Sequence, residues 1–390
     1  MGTKHAQHAG TAPATGPIPV PEEITEREEA VFLAVASTDL TEEQIRRVRA
    51  PGRVFQRQTS VLAIHWHPEF VPLEHIDARI QAMFPAAEDA LIIPTQHNVL
   101  TEREGWAGVE VDCYSSGFNQ KVQLLLHFRA ERVAEATTLR AMLEHTFRYR
   151  SSQLFDFMET ITKPRTARLA QAAEETGAGE DLVRFVRAVT RKVETLLDRH
   201  YATLPPAAIK NKLLRDFFDC LREDYGDGLI NRAQIFLRAV KQIVKAGFPL
   251  KYFYRASEVI AEARALGGGV VIPHPEEFWP ILLAGYDVDG YEVWNPQSQR
   301  YTDFLISVVN ERNRRVDPLR PSARRLLVTM GDDCHLGEKV KDPALQDKAK
   351  AAREVGYQPA WDDLSIGKKL ITAGMDRDTV IHEYRDRLSS

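Results

Sequence analysis

Short apolar runs that end in histidine or an acidic residue recur along this chain, and they constrain its fold more than any other feature. Residues 60–64 run into His65-Trp66-His67, and Leu91-Ile92-Ile93 leads to Pro94-Thr95-Gln96-His97-Asn98. Residues 122–126 run straight into His127, 269–272 precede Pro273-His274-Pro275, and 326–329 lead to Gly331-Asp332-Asp333-Cys334-His335. Glu110 lies inside another such run at 109–111, and 291–294 precede Asn295-Pro296. Short apolar runs bounded by Pro, Gly and Asn read as buried strands. Helical patterns at 21–49, 73–83, 276–283 and 303–314 alternate with them. That alternation predicts an α/β fold on a mostly parallel sheet, open or closed into a barrel. The carboxyl ends of such strands share one face, where sites are built. Histidines and acids far apart in sequence are therefore expected to meet.

Between residues 131 and 266 the pattern changes. Leu182, Phe185, Val186, Val189, Val193 and Leu196 recur at helical steps, as do Phe236, Val240, Ile243 and Val244. This block reads as a helical insertion between a first strand-bearing part, 21–130, and a second, 267–340. Residues 341–390 read as a helical C-terminal extension. The first 20 residues are rich in Gly, Ala, Thr, His and Pro and are expected to be a disordered tail; His5 and His8 lie there.

Bulk properties narrow the class. The formal net charge is −4, which gives no support to general nucleic-acid binding. No run of about 18 apolar residues is present, so no membrane span is expected. The three cysteines, Cys113, Cys220 and Cys334, are too scattered for a disulfide framework and fit a reducing, cytoplasmic setting.

Residues two apart on extended backbone point the same way, so His65 and His67 can serve one cation. Asp333 and His335 repeat that spacing, and Cys334 between them is expected to face away as a packed small hydrophobe. Several imidazoles with a few carboxylates suit zinc, manganese or iron. The run Gly267-Gly268-Gly269 lacks a following Lys-Ser/Thr and reads as the turn into a strand, not as a phosphate loop.

In family order, these motifs resemble the PHP family, the polymerase and histidinol phosphatase superfamily of metal-dependent phosphoesterases. His65-Trp66-His67 looks like its first His-x-His, and Thr95-Gln96-His97-Asn98 looks like its Thr-Asp-His motif, with Gln96 in place of Asp. Gly108-Val109-Glu110 looks like Gly-x-Glu, Leu126-His127 like the strand-end His and Pro273-His274-Pro275 like the His-Pro motif. Glu292-Val293-Trp294-Asn295 looks like Glu-x-x-Asn, and Gly331 to His335 like the closing Asp-x-His.

The resemblance implies a distorted seven-stranded β/α (TIM-like) barrel holding two or three divalent ions. It assigns His65, His67, Glu110 and Asp333 to one ion, Glu110, His127 and His274 to a second, and His97 and His335 to a third. The family's ligand shortly after the first His-x-His is missing here, and Glu69, Glu74 and His75 are the residues nearest that place. Glu110, Asp333 and His335 are then the catalytic candidates. The implied chemistry is attack of a cation-activated hydroxide on the phosphoester of a small phosphorylated metabolite or nucleotide. Two other readings remain open. One is an amidohydrolase-type metal hydrolase. The other is a non-catalytic metal-binding module that binds a protein through its helical insert, which is also a candidate oligomer interface.

Overall fold

The computed structural model describes residues 22–163, 166–315, 324–344 and 346–390. The expected tail at 1–20 lies outside the described residues. The chain divides into two compact units. One comprises Arg150–Phe248 and the described part of Met1–Ser37; the other comprises Thr38–Tyr149 and Pro249–Ser390. The divisions expected from sequence fall at 21–130, 131–266, 267–340 and 341–390. The helical pattern at 21–49 is two helices, Glu26–Ala36 and Glu42–Arg49, and only the first joins the helical unit. Thr25 with Glu28 and Thr41 with Gln44 form capping boxes that start each helix afresh.

The helical unit is built on the pattern seen in the sequence. Phe185, Val186, Val189, Val193 and Leu196 line one face of helix Glu180–His200 and share a core with Phe217, Phe236 and Val240. Burying each of these large side chains stabilises the unit by roughly 1.5–3 kcal/mol.

The other unit carries all ten described strands: β1 Ser60–Ala63, β2 Trp66–His67, β3 Asp89–Ile92, β4 Thr101–Arg103, β5 Trp106–Ser115, β6 Gln120–Arg129, β7 Gly269–Ile272, β8 Gly290–Trp294, β9 Leu327–Met330 and β10 Cys334–His335. They form a six-stranded sheet in the order β4-β5-β6-β7-β8-β9 and two parallel pairs, β1-β3 and β10-β2. The fold is therefore mixed α/β, and among the described residues no hydrogen-bonded ring of strands closes.

The mostly parallel sheet expected from sequence is corrected too. The pairs β4-β5, β5-β6 and β6-β7 are antiparallel, while β7-β8 and β8-β9 are parallel. The expected strands at 109–111 and 122–126 are the centres of a long hairpin, β5-β6, with Glu110 opposite Leu125 and Gly108 opposite His127. Asn119, at φ 52°, turns its loop. Strands β7, β8 and β9 are buried along their whole length, Glu292 in β8 and Thr329 in β9 included.

The expected helix at 276–283 is two short 3₁₀ turns, Pro275–Glu277 and Trp279–Leu283. Pro280 removes the amide hydrogen that a continuous helix would donate to the Glu276 carbonyl.

The C-terminal extension is part of this unit. Val380, Ile381, Tyr384 and Leu388 of helix Arg377–Ser389 are buried, and the helix packs on β1, β3, β6, β7 and β9. Its arginines reach the strands' amino ends: Arg385 pairs with Asp89 at the start of β3, and Arg387 with Asp289 just before β8. The other end of these strands is left to the histidines. No described helix is long and apolar enough to cross a membrane.

Candidate metal centre

The strand ends bring seven of the eight expected ligands together. His65 follows β1 and His67 lies in β2, which pairs with β10 so that His67 stands beside His335. The Asp333 amide donates to the His65 carbonyl at 2.9 Å, tying the two i, i+2 pairs together. His97 bridges to Glu110 in β5, and His274 follows β7.

Glu110 is the hub. Its Oε2 lies 2.7 Å from His97 Nδ1 and 3.5 Å from His67 Nε2, while its Oε1 lies 3.5 Å from His274 Nε2. Each oxygen thus faces different imidazoles, the arrangement a bridging carboxylate needs. Asp333 Oδ1 faces His65, His67 and His335 at 3.7, 3.3 and 3.4 Å. Its other oxygen is taken by Arg353 and by Gln297 Nε2 at 2.8 Å, so one side of Asp333 is anchored and the other turned inward.

Among the described residues, three sets of atoms able to ligate a metal lie within 4.8 Å of one another: His65, His67 and Asp333; His65, Glu110 and His274; and His67, His97 and His335. His65 Nε2, both nitrogens of His67, both oxygens of Glu110 and His274 Nδ1 are buried without an aligned hydrogen bond. Buried polar atoms without partners carry a penalty of about 1–3 kcal/mol each, more when charged. Of these, the Nε2 atoms of His65 and His67 and both oxygens of Glu110 face the grouped histidines and Asp333, a donor set that fits divalent ions.

Charge follows the same geometry. Burial raises the Glu110 carboxyl, but the imidazoles of His97, His274 and His67 outweigh it and hold the group well below the usual carboxylate range. Asp333 is lowered in the same way, against burial, by His335, His67 and His65. Burial and the flanking His97 and His335 push His67 down to about 3. Burial opposes protonation of His65, yet Glu292 and Asp333 raise it to about 10.

A second layer orients these ligands. Glu292 Oε2 accepts a 2.6 Å hydrogen bond from His65 Nδ1, while its Oε1 accepts from the His274 amide and from Asn295 Nδ2. Gly331 leaves room for that carboxylate, since a Cβ there would sit 1.9 Å from Glu292 Oε2. Asn98 and Asp112 exchange hydrogen bonds of 2.7 and 2.9 Å, which fixes the turn carrying His97. Glu69, Asn98, His274 and Asp333 all have positive φ although none is glycine. Such strain is of order 1–3 kcal/mol per residue and persists where surrounding contacts over-determine the conformation.

Of the residues near the family's missing ligand, Glu69 is the one at the site, with Oε1 3.5 Å from His335 Nδ1. His75 instead meets Arg49 at 3.1 Å. Cys334 is buried in an apolar cluster with Trp66 and Leu336, turned from the centre as its spacing requires.

His127 is a correction. Its Nε2 lies 2.8 Å from the Ile64 carbonyl and its Nδ1 2.7 Å from the Tyr384 hydroxyl. A carbonyl only accepts, so Nε2 carries the hydrogen and Nδ1 accepts from tyrosine. Neither nitrogen has a lone pair left for a cation, and burial pushes the ring down to about 4, keeping it neutral. Sequence reasoning also missed Arg353, Gln297 and Tyr384, because their partners lie 20, 36 and 257 positions away and no local motif marks them.

No protein-family model matches this chain, and no curated protein matches it. Among solved structures, a crystal structure of a Bifidobacterium adolescentis protein, assigned provisionally as a metal-dependent phosphoesterase, is similar over 84% of this chain and 98% of its own length. The identity is 14% and the TM-score 0.37, a level that leaves function to be argued from the site itself.

Proposed function

We propose that this chain is a metal-dependent hydrolase of the phosphoesterase kind, acting on a small phosphorylated metabolite or nucleotide. The observation that carries this reading is Glu110: a fully buried carboxylate whose two oxygens face three imidazoles without an aligned hydrogen bond. A cation on each side of it would satisfy all of these atoms at once.

His65, His67, Glu110 and Asp333 would hold one ion, Glu110 and His274 a second, and His97 and His335, with Glu69 beside them, a third. Bound divalent ions would supply an activated water and neutralise charge on the phosphoryl oxygens. The protein's own part is positional. Glu110 and Asp333 bring the negative charge that balances the cations, and Glu292 and Arg353 lock the ligands' orientation. His97 and His335 side chains are 23% and 21% exposed, whereas His65 and His67 are sealed. Substrate would therefore enter on the side of His97 and His335.

Helix Arg377–Ser389 touches strands of two separate sheets, which supports reading the strand unit as a distorted β/α barrel plugged at its amino end. The amidohydrolase alternative is less favoured because a glutamate, not a lysine, occupies the bridging place.

Metal analysis of the purified protein and phosphate release from a panel of phosphorylated metabolites, with Mn(II) or Zn(II) added, test the proposal. The expected result is two or three ions per chain and metal-dependent release. Less than one ion per chain with no release from any phosphoester would refute it.

A further inference from the structure

His127 and Tyr384 form a buried chain of contacts that the functional reading does not use. Tyr384 lies on the C-terminal helix Arg377–Ser389, and its hydroxyl donates to His127 Nδ1 at 2.7 Å. His127 Nε2–H in turn donates to the Ile64 carbonyl at 2.8 Å. The two rings meet edge to face, with centroids 5.6 Å apart, and both residues are wholly buried. Space for the tyrosine is left by Gly269, where a Cβ would lie 2.4 Å from its hydroxyl oxygen.

The Ile64 carbonyl belongs to the peptide that leads directly into His65. Between β1 and β2 the backbone leaves the strand ladder. The preceding carbonyl, of Ala63, is held by the Ile93 amide, and the following one, of His65, by the Asp333 amide. Ile64 sits between those fixed points, and His127 supplies the partner for its carbonyl. Fixing that carbonyl fixes the peptide plane, and so the direction in which His65 leaves the backbone. Binding sites tolerate misplacement of only about 0.5 Å.

We infer that His127 and Tyr384 are positioning residues of the metal centre, through which the C-terminal helix sets the direction of His65 from the opposite end of the strands. The inference rests on the metal-centre reading above. It assigns the strand-end histidine a bracing role in place of the ligand role implied by resemblance, and it makes the C-terminal extension part of the site.

The test uses the full chain with Co(II), Mn(II) and Zn(II) as probes. Divalent affinity is measured by chelator competition for the wild type, Tyr384→Phe, His127→Leu and His127→Gln, with thermal unfolding as a check of folding. The amide of glutamine can still donate to the Ile64 carbonyl. The expected result is an affinity loss of about tenfold or more for His127→Leu, a smaller loss for Tyr384→Phe, and partial recovery in His127→Gln. Tyr384→Phe removes a single oxygen from a packed ring, so it stays informative even if His127→Leu does not fold. Nitrogen-15 spectra of the imidazoles should show Nε2 of His127 protonated before and after Zn(II) is added. Unchanged affinity in folded variants, or loss of the Nε2 proton on Zn(II) binding, would overturn this inference alone. A wild-type chain that binds none of the three ions would overturn the metal reading and this inference with it.

Discussion

His65 Nδ1 and Glu292 Oε2 lie 2.6 Å apart, and neither residue reaches solvent to any useful extent. The hydrogen bond leaves only Nε2 of His65 to face Asp333 and the centre. A carboxylate behind a ligating imidazole fixes the ring's tautomer and raises its basicity. Glu292→Gln keeps the shape and removes the charge. Divalent affinity, measured by equilibrium dialysis, should fall about 10- to 100-fold while the folded state persists. An affinity within twofold of wild type would mean that Glu292 serves packing alone.

Much of this arrangement was legible in the sequence because strand ends in α/β folds converge. His65, His67, His97, Glu110, His274, Asp333 and His335 each end or sit in a short apolar run, and all meet. His127 ends such a run too but is diverted, because Tyr384 arrives from a helix 257 residues away to take its second nitrogen. Local text contains no trace of that contact. The antiparallel pairing of β5 with β6 is not legible for a related reason. Apolar stretches at 109–111 and 122–126 look the same whether their neighbours run parallel or antiparallel; pairing, not composition, decides. Glu292 and Asn295 sit at motif positions and were visible as candidates, whereas Arg353 lies in an extension without any motif.

Arg79 and Glu354 form a buried two-pronged ion pair with N···O distances of 2.7 and 2.6 Å, and Lys339 adds a third contact at 3.0 Å. Burial alone would raise the Glu354 carboxyl, but the hydrogen bonds from Arg79 and the charge of Lys339 draw it below its ordinary value. The sign of the linkage follows. A carboxyl lowered on folding stabilises the native state above its unfolded pKa of about 4.3 and loses that contribution as pH falls through the folded value. Glu354→Gln leaves Arg79 without its counter-charge and should cost about 3–5 kcal/mol near pH 7. Urea unfolding from pH 7 to pH 3 should show the gap between wild type and variant narrowing only below about pH 4.3. A constant gap would show that the charge on Glu354 contributes nothing.

Cys113 and Cys334 are completely buried, whereas Cys220 is exposed. Burial raises the thiol pKa of both buried residues far above its ordinary value, and Asp112 adds to the effect at Cys113. Thiolate is the reactive form, so both should be inert in the folded protein despite the place of Cys334 between Asp333 and His335. Titration with a disulfide reagent at pH 8 should find one reactive thiol in the native chain and all three after denaturation. Protection of the native chain at Cys220, or rapid labelling of Cys334, would contradict this packing.

Gly331 offers a test of the Glu292 contact from the other side. Its missing Cβ leaves the space that the carboxylate fills, and a methyl group there would lie 1.9 Å from Oε2 and 2.3 Å from Cδ of Glu292. The residue has no positive φ, so alanine suits its backbone and the clash with Glu292 is the main consequence. Glu292 must then move, and it releases His65, the His274 amide and Asn295 together. Gly331→Ala should therefore weaken divalent binding at least as much as Glu292→Gln does. The two changes act through one carboxylate, so the double variant should lose clearly less than the sum of the single losses in free energy. Additive losses, measured by the same dialysis, would show that glycine at 331 matters for a reason unconnected with Glu292.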